Sequence, residues 1–351
     1  MIRLFNASAL LAALFCSSLF FSCKEDDLPD NLNEPGLFSD GFFVLNEGNF
    51  GSGNSSVDFY QRGLGLQSDV YANANGGLSP GDVVQSMTLI GDRYFLVVNN
   101  SGKIEALDAE SGQVTGTITG LTSPRYVHSV SSNKAYVTDL FSGSISVVNT
   151  NTLQVDGQIS TGSWSERMVS IDNKVYVSLM VRDRIWVIDP LTDAVLDSLD
   201  TGREPEGLVA DAAGQLYILS TGGFMQSTPE LRCVDPESKV MLRQWVLGAV
   251  GDYVSDLAIS ADGSQLYWLG PGGVYRMAAD APTAPVAPWI ASNPAVFAYA
   301  LAVDEGASGE VLVGDAVDFS SQGNVFRYSA SGTLLDSFRV GVNPGAFHFV
   351  P

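Results

Sequence analysis

The chain has 351 residues, 45% of them hydrophobic and 16% charged, which suits a packed core and argues against disorder. Its formal charge of −21, from 39 acidic and 18 basic residues, repels phosphate polymers and anionic lipid. Nucleic acid is therefore a poor partner, and any membrane attachment must come from something other than surface charge.

The first 22 residues stand apart. Arg3 is their lone basic residue, and Ala7 to Phe21 is an apolar run ending at Ser22-Cys23. This reads as a secretory signal. A cysteine after a small residue resembles a lipobox, with cleavage before Cys23 and acylation of that residue, although Phe20 and Phe21 depart from the tight consensus. An uncleaved anchor is the other reading, but the run is short for a span. Lys24-Glu-Asp-Asp27 resembles the tag that sends lipoproteins of Bacteroidetes-type bacteria to the outer face of the outer membrane. Residues 23–40, with Pro, Asn and acids from Leu28 to Asp40, then form a lipidated acidic linker. Cysteine usage agrees: Cys16 leaves with the signal, Cys23 takes the lipid, and Cys233 is alone in an apolar strand as buried filler.

From residue 41 the chain repeats itself. An aromatic opens an apolar strand at Tyr94, Tyr136, Tyr176, Tyr217 and Tyr267, at spacings of 42, 40, 41 and 50 residues. After each of the first four come a third strand, an Asp/Asn turn (Asp108, Asn149, Asp189, Asp235) and a fourth strand ending near Gly120, Gly162, Gly202 and Gly248. Val311 to Asp315, Val325 to Tyr328 and Gly341 form a sixth, divergent copy.

Four strands at a period near forty describe a propeller blade, and no polar capping repeats of a solenoid are visible. Gly41 to Tyr60 supplies second and third strands with no first strand before them. Asn343 to Val350 supplies a first strand with nothing after it. Together they complete a seventh blade closed by both chain ends, which a sandwich would not explain. The expected fold is all-β: one seven-bladed β-propeller over residues 41–351.

Strands of a blade alternate in direction, so loops after second and fourth strands share one face. The other face has tight turns such as Ser131-Ser-Asn133 and Ala261-Asp-Gly263, which are structural. The first face is irregular and bulky, and rigidly displayed loops are where binding concentrates. Its candidate ligand-binding residues are Phe50, Asn99, Arg125, Tyr126, Phe141, Trp164, Arg167, Met180, Arg203, Phe224, Tyr253, Phe297 and Phe319. Aromatics there offer contact area at low entropic cost, and Arg and Asn add directional hydrogen bonds. Plugging the channel or capping a blade core is the alternative role for any one aromatic.

Little in the chain points to catalysis. His128 and His348 lie on inner strands of different blades, where a hydrogen-bonded structural role is expected. No His/Cys cluster has metal-ligand spacing, and the sequence lacks the nucleophile-elbow and phosphate-loop motifs. Asp82, Asp139, Asp252, Asp256, Asp315 and Asp318 can approach the axis, which leaves a metal there open, but turn formation is their usual explanation.

Tyr136-Val-Thr-Asp139 and Tyr176-Val-Ser-Leu179 resemble the YVTN-type propeller repeat, a motif specific for fold and weak for function. Phe43-Val-Leu-Asn-Glu-Gly-Asn-Phe50 with Ser55 to Tyr60, behind a lipidated acid-tagged cysteine, resembles the surface cobalamin-binding propeller lipoproteins. The resemblance implies a non-enzymatic protein that captures a corrinoid (vitamin B12) and hands it to a TonB-dependent outer-membrane transporter. Its aromatics would pack the macrocycle, while Arg and Asn would meet amide and phosphate groups. Two alternatives stay open: a propeller lactonase or lyase with an axial metal, and a protein-interaction subunit of an outer-membrane complex.

Overall fold

Each repeat tyrosine occupies the second strand of a four-stranded antiparallel sheet: Arg93–Val98, Lys134–Asp139, Lys174–Leu179, Leu216–Ser220 and Gln265–Gly270. These strands are buried along nearly their whole length because a neighbouring sheet covers each face, so they read as continuous apolar runs. Fourth strands, on the rim, are mostly exposed.

A computed structural model describes residues 38–350 apart from 292, 293, 305 and 307. It contains seven four-stranded sheets, as the repeat implies. In chain order the inner strands of blades 1 to 7 are Val84–Ile90, Pro124–Ser131, Ser165–Ile171, Pro205–Ala210, Ser255–Ile259, Ala298–Val303 and Pro344–Val350. Each contacts the next, and the last contacts the first, which closes the ring. Blade 7 is the composite one: Gly41–Asn46 pairs with Ser56–Gln61 on one side and Pro344–Val350 on the other.

The core is correspondingly divided. Among the described residues it forms seven clusters, one between each pair of blades. The closing cluster packs Phe42 and Val44 of blade 7 against Leu312 and Val325 of blade 6. Phe42 has no exposed surface and lies among Tyr60, Phe338, Phe347 and Phe349. Phe38, the first described residue, is buried against Phe43 and Phe59, so the end of the expected linker packs on the propeller. The acylation site Cys23, the signal and the rest of the linker lie outside the described residues.

The turn chemistry follows the sequence. Asp108, Asp189 and Asp235 each accept a hydrogen bond from the backbone N–H two or three residues on, closing the turn between third and fourth strands. A short helix not legible in the sequence, Val70–Ala74, joins blade 7 to blade 1 and is capped by the Asp69 carboxylate.

Candidate functional site at the channel mouth

All seven inner strands lose register with their partner at the end nearest the bulky face. Each shift is a β-bulge that leaves one residue more than its partner strand matches and re-aims the side chains there. Gln85, Arg125 with Tyr126, Glu166 with Arg167, Glu206, Asp256, Tyr299 and Gly345 occupy these bulges. In blades 2 and 3 the repeat's own hydroxyl repairs the ladder. The Tyr126 N–H donates to Thr138 Oγ1 at 3.2 Å, and the Arg167 N–H donates to Ser178 Oγ at 2.9 Å. Gly345 leaves room for Glu47 in blade 7, where a Cβ would stand 2.5 Å from Glu47 Oε1. Glu47 therefore enters the ring in its place.

The bulge residues build a partition across the channel. Arg125 donates through Nε to both Glu166 oxygens at 3.2 and 3.0 Å, and through Nη2 to Oε1 at 2.7 Å, while Nη1 reaches Gln85. Trp164 Nε1 also donates to Glu166. Arg167 lies over the Tyr126 ring, 4.1 Å from its centroid. Its Nη2 approaches Asp256 at 3.7 Å and Glu206 at 4.0 Å, and Tyr299 OH donates to Glu47 at 3.0 Å.

Burial controls the acidity of this ring. It lifts the Glu206 carboxyl to about 7, the Asp256 charge adding and the Arg167 charge opposing. Burial likewise lifts Asp256 to about 6 against Arg167 and the Ser255 hydroxyl. Glu47 is raised by burial despite its bond from Tyr299.

Above the partition lies a cavity of about 560 Å³, within the usual size of small-molecule sites. Arg125, Glu166 and Glu206 contribute to its wall, together with Glu204, Thr221 and Asp252. Trp164, Met180, Val181, Phe224, Met225 and Tyr253 supply its apolar surface. Phe224 is 90% exposed and Tyr253 64%, so both are contact surface rather than core. Below the partition the bore continues through a space lined by Tyr126, His128, Arg167 and Met168. A separate chamber of about 760 Å³, bounded by inner strands of blades 4 to 7, shares Val209 and Leu257 with that space.

Five sequence candidates thus meet at one cavity: Arg125, Trp164, Met180, Phe224 and Tyr253. Tyr126 and Arg167 belong to the channel beneath it. Phe297 and Phe319 pack edge to face 4.8 Å apart on another arc of the mouth, and Phe319 also packs on Tyr299. Exposed Phe50 follows Asn49, whose side chain bonds the Phe319 carbonyl. Exposed Phe141 and Arg203 stand on the same face but do not line the cavity. Asn99 is buried, its amide donating to the Pro124 carbonyl at 2.9 Å, which ties blade 1 to blade 2.

Arg125, expected to meet a ligand phosphate, already spends its donors on Glu166 and Gln85. Of the candidate aspartates, Asp139, Asp252, Asp315 and Asp318 accept backbone N–H bonds within turns, and Asp82 accepts from Gly51. Asp256 alone of the six is in the ring. The main additions are Glu166, Glu206 and Glu47. Glu166 and Glu206 follow the first residue of their inner strands, a position that stands out only once blades are aligned, and Glu47 directly follows the second strand of blade 7. His128 bonds Ser170 Oγ at 2.7 Å, and Cys233 is buried, both as expected.

Seven blades around a polar-ringed channel define a seven-bladed β-propeller with a ligand-sized mouth. Within that class the chain belongs to the family described as a domain of unknown function, DUF5074, which it matches over residues 40–313. Among curated proteins nothing matches its sequence. A quinonprotein alcohol dehydrogenase-like protein from Bacteroides thetaiotaomicron VPI-5482 superposes with a TM-score of 0.71 at 16% identity, covering 89% of this chain and 78% of the other. A 6-phosphogluconolactonase-like protein from Bacteroides fragilis NCTC 9343 superposes at 0.68 with 15% identity, covering 91% and 100%. Dihydro-heme d1 dehydrogenase NirN, solved in complex with DHE, does so at 0.59 with 11% identity, covering 92% and 77%. Likeness at this distance concerns the fold alone.

Proposed function

We propose that this chain is a lipid-anchored capture protein on the outer face of the outer membrane, presenting its mouth to a scarce nutrient. A corrinoid is the ligand we assign, and a TonB-dependent transporter the recipient. The observation that carries this reading is the convergence of Trp164, Met180, Phe224, Met225 and Tyr253 on one cavity at the channel mouth. Exposed aromatics on rigid loops favour binding of a flat, amphipathic body. A whole corrinoid outsizes the cavity, so the macrocycle would lie across the rim with one edge inserted. The Cys23 lipid and the acidic residues behind it would supply the tether.

Calorimetric titration of the purified mature protein with cyanocobalamin tests the assignment. Saturable heat at micromolar concentrations is expected, and its absence rejects the corrinoid.

One observation favours a second reading. Glu206, in the cavity wall, and Asp256, whose N–H donates to it, have carboxyls lifted to about 7 and about 6, as acid–base enzymes arrange them. This is the lactonase or lyase alternative. Recovery of the ligand unchanged after prolonged incubation supports capture, whereas a converted product supports catalysis.

A further inference from the structure

The charges facing the mouth cavity are unbalanced. Arg125 is the one basic side chain in its wall among the described residues, and Glu166 neutralises it through paired hydrogen bonds. Three carboxylates remain. Glu204 accepts from Thr221 Oγ1 at 3.1 Å, and Asp252 from the Ala249 N–H at 2.7 Å. Glu206 is the least satisfied. Its Oε2 accepts only the Asp256 N–H at 3.3 Å, and Arg167 stands 4.0 Å from Oε1, beyond hydrogen-bond reach. The same cavity presents the Trp164, Phe224 and Tyr253 rings and the Met180 and Met225 side chains. Aromatic faces attract cations through their quadrupole, and a carboxylate short of donors gains most from a charged N–H partner.

We infer that the mouth selects an organic cation, an ammonium or amidinium group on an apolar body. The charge seats at Glu206, and the body lies against Trp164, Phe224 and Tyr253. Anions of the same shape are rejected because Arg125, the one guanidinium in the cavity wall among the described residues, is already paired. The inference rests on the mouth being the ligand site proposed above, and names the charge of what it takes.

The test titrates the mature protein at pH 8, where Glu206 is ionised, with phenethylammonium and, in parallel, with 3-phenylpropionate, following protein NMR shifts or tryptophan fluorescence. Saturable binding of the ammonium that weakens as salt is raised, with no saturation by the carboxylate, is expected. Glu206→Gln, with a cooperative thermal transition no lower than that of the wild type as the check on folding, should weaken the ammonium about tenfold, the value of one charge-assisted hydrogen bond. Equal binding of the two probes, saturation by neither, or salt-independent binding in the wild type would overturn the inference. Cyanocobalamin binding without any ammonium binding would also sink it while leaving capture intact. Ammonium binding without cyanocobalamin binding would reject the corrinoid and keep the charge selection.

Discussion

Arg125 and Glu166 show what a bulge demands of its residues. Glu166 keeps 2% of its side chain exposed and Arg125 19%, and each satisfies the other. Removing one partner of a buried pair leaves the other charge desolvated and alone. Glu166→Ala should therefore lower stability by roughly 3 kcal/mol, the lower end of that effect because Arg125 still touches water. Urea denaturation measures it, and a loss below about 1 kcal/mol would mean the guanidinium relaxes into solvent. Glu206 makes the opposite prediction. Its folded carboxyl holds a proton more tightly than the unfolded one, so folding loses stability as pH rises from the usual 4.5 towards about 7. Glu206→Gln should match the wild type near pH 4 in melting temperature and exceed it by about 2–4 °C near pH 8. A difference that does not change with pH would show that Glu206 does not titrate in that window.

At the level of the strand, blade 7 is where the two chain ends must find one another. Phe42 sits at that junction, stacked on Tyr60 with ring centroids 5.1 Å apart and fully buried. Phe42→Ala should cost about 3–5 kcal/mol, since the surrounding rings belong to separate strands and cannot collapse together. Thermal or urea unfolding checks this, and a cost under about 1 kcal/mol would show that the closing cluster repacks. The mouth loops carry a different load. Val317, β-branched, is held at φ 57° by its N–H bond to Asp315 Oδ1, which also takes the Phe297 N–H. Left-handed backbone in a β-branched residue is costly, and here it anchors the loop that presents Phe319.

For the molecule as a whole, closure decides stability because each blade packs only on its neighbours. Ending the chain after Val342 removes the inner strand of blade 7 and bares the edge of Gly41–Asn46. The truncated protein should lose its cooperative thermal transition and its near-ultraviolet circular dichroism. Retention of a native-like melt would mean that six blades and a fragment suffice. The repeat spacing and the complementary half-blades made the ring legible in the sequence, down to the strand carrying each tyrosine. The candidate site was legible only in part. Trp164, Phe224 and Tyr253 announced themselves as large side chains on loops, but Asn99 looked the same on paper and proved to be a tie between blades.

Local chemistry was enough for the strands, their turns and the count of blades, because period-forty apolar patterning and Asx turns act over a few residues. The charge of the mouth was settled only in three dimensions. Glu166, Glu206 and Asp256 come from blades 3, 4 and 5, and a bulge in each inner strand turns them toward one axis. Whether Arg125 is free or paired depends on a partner 41 residues away, a contact that exists only once blades 2 and 3 have packed together.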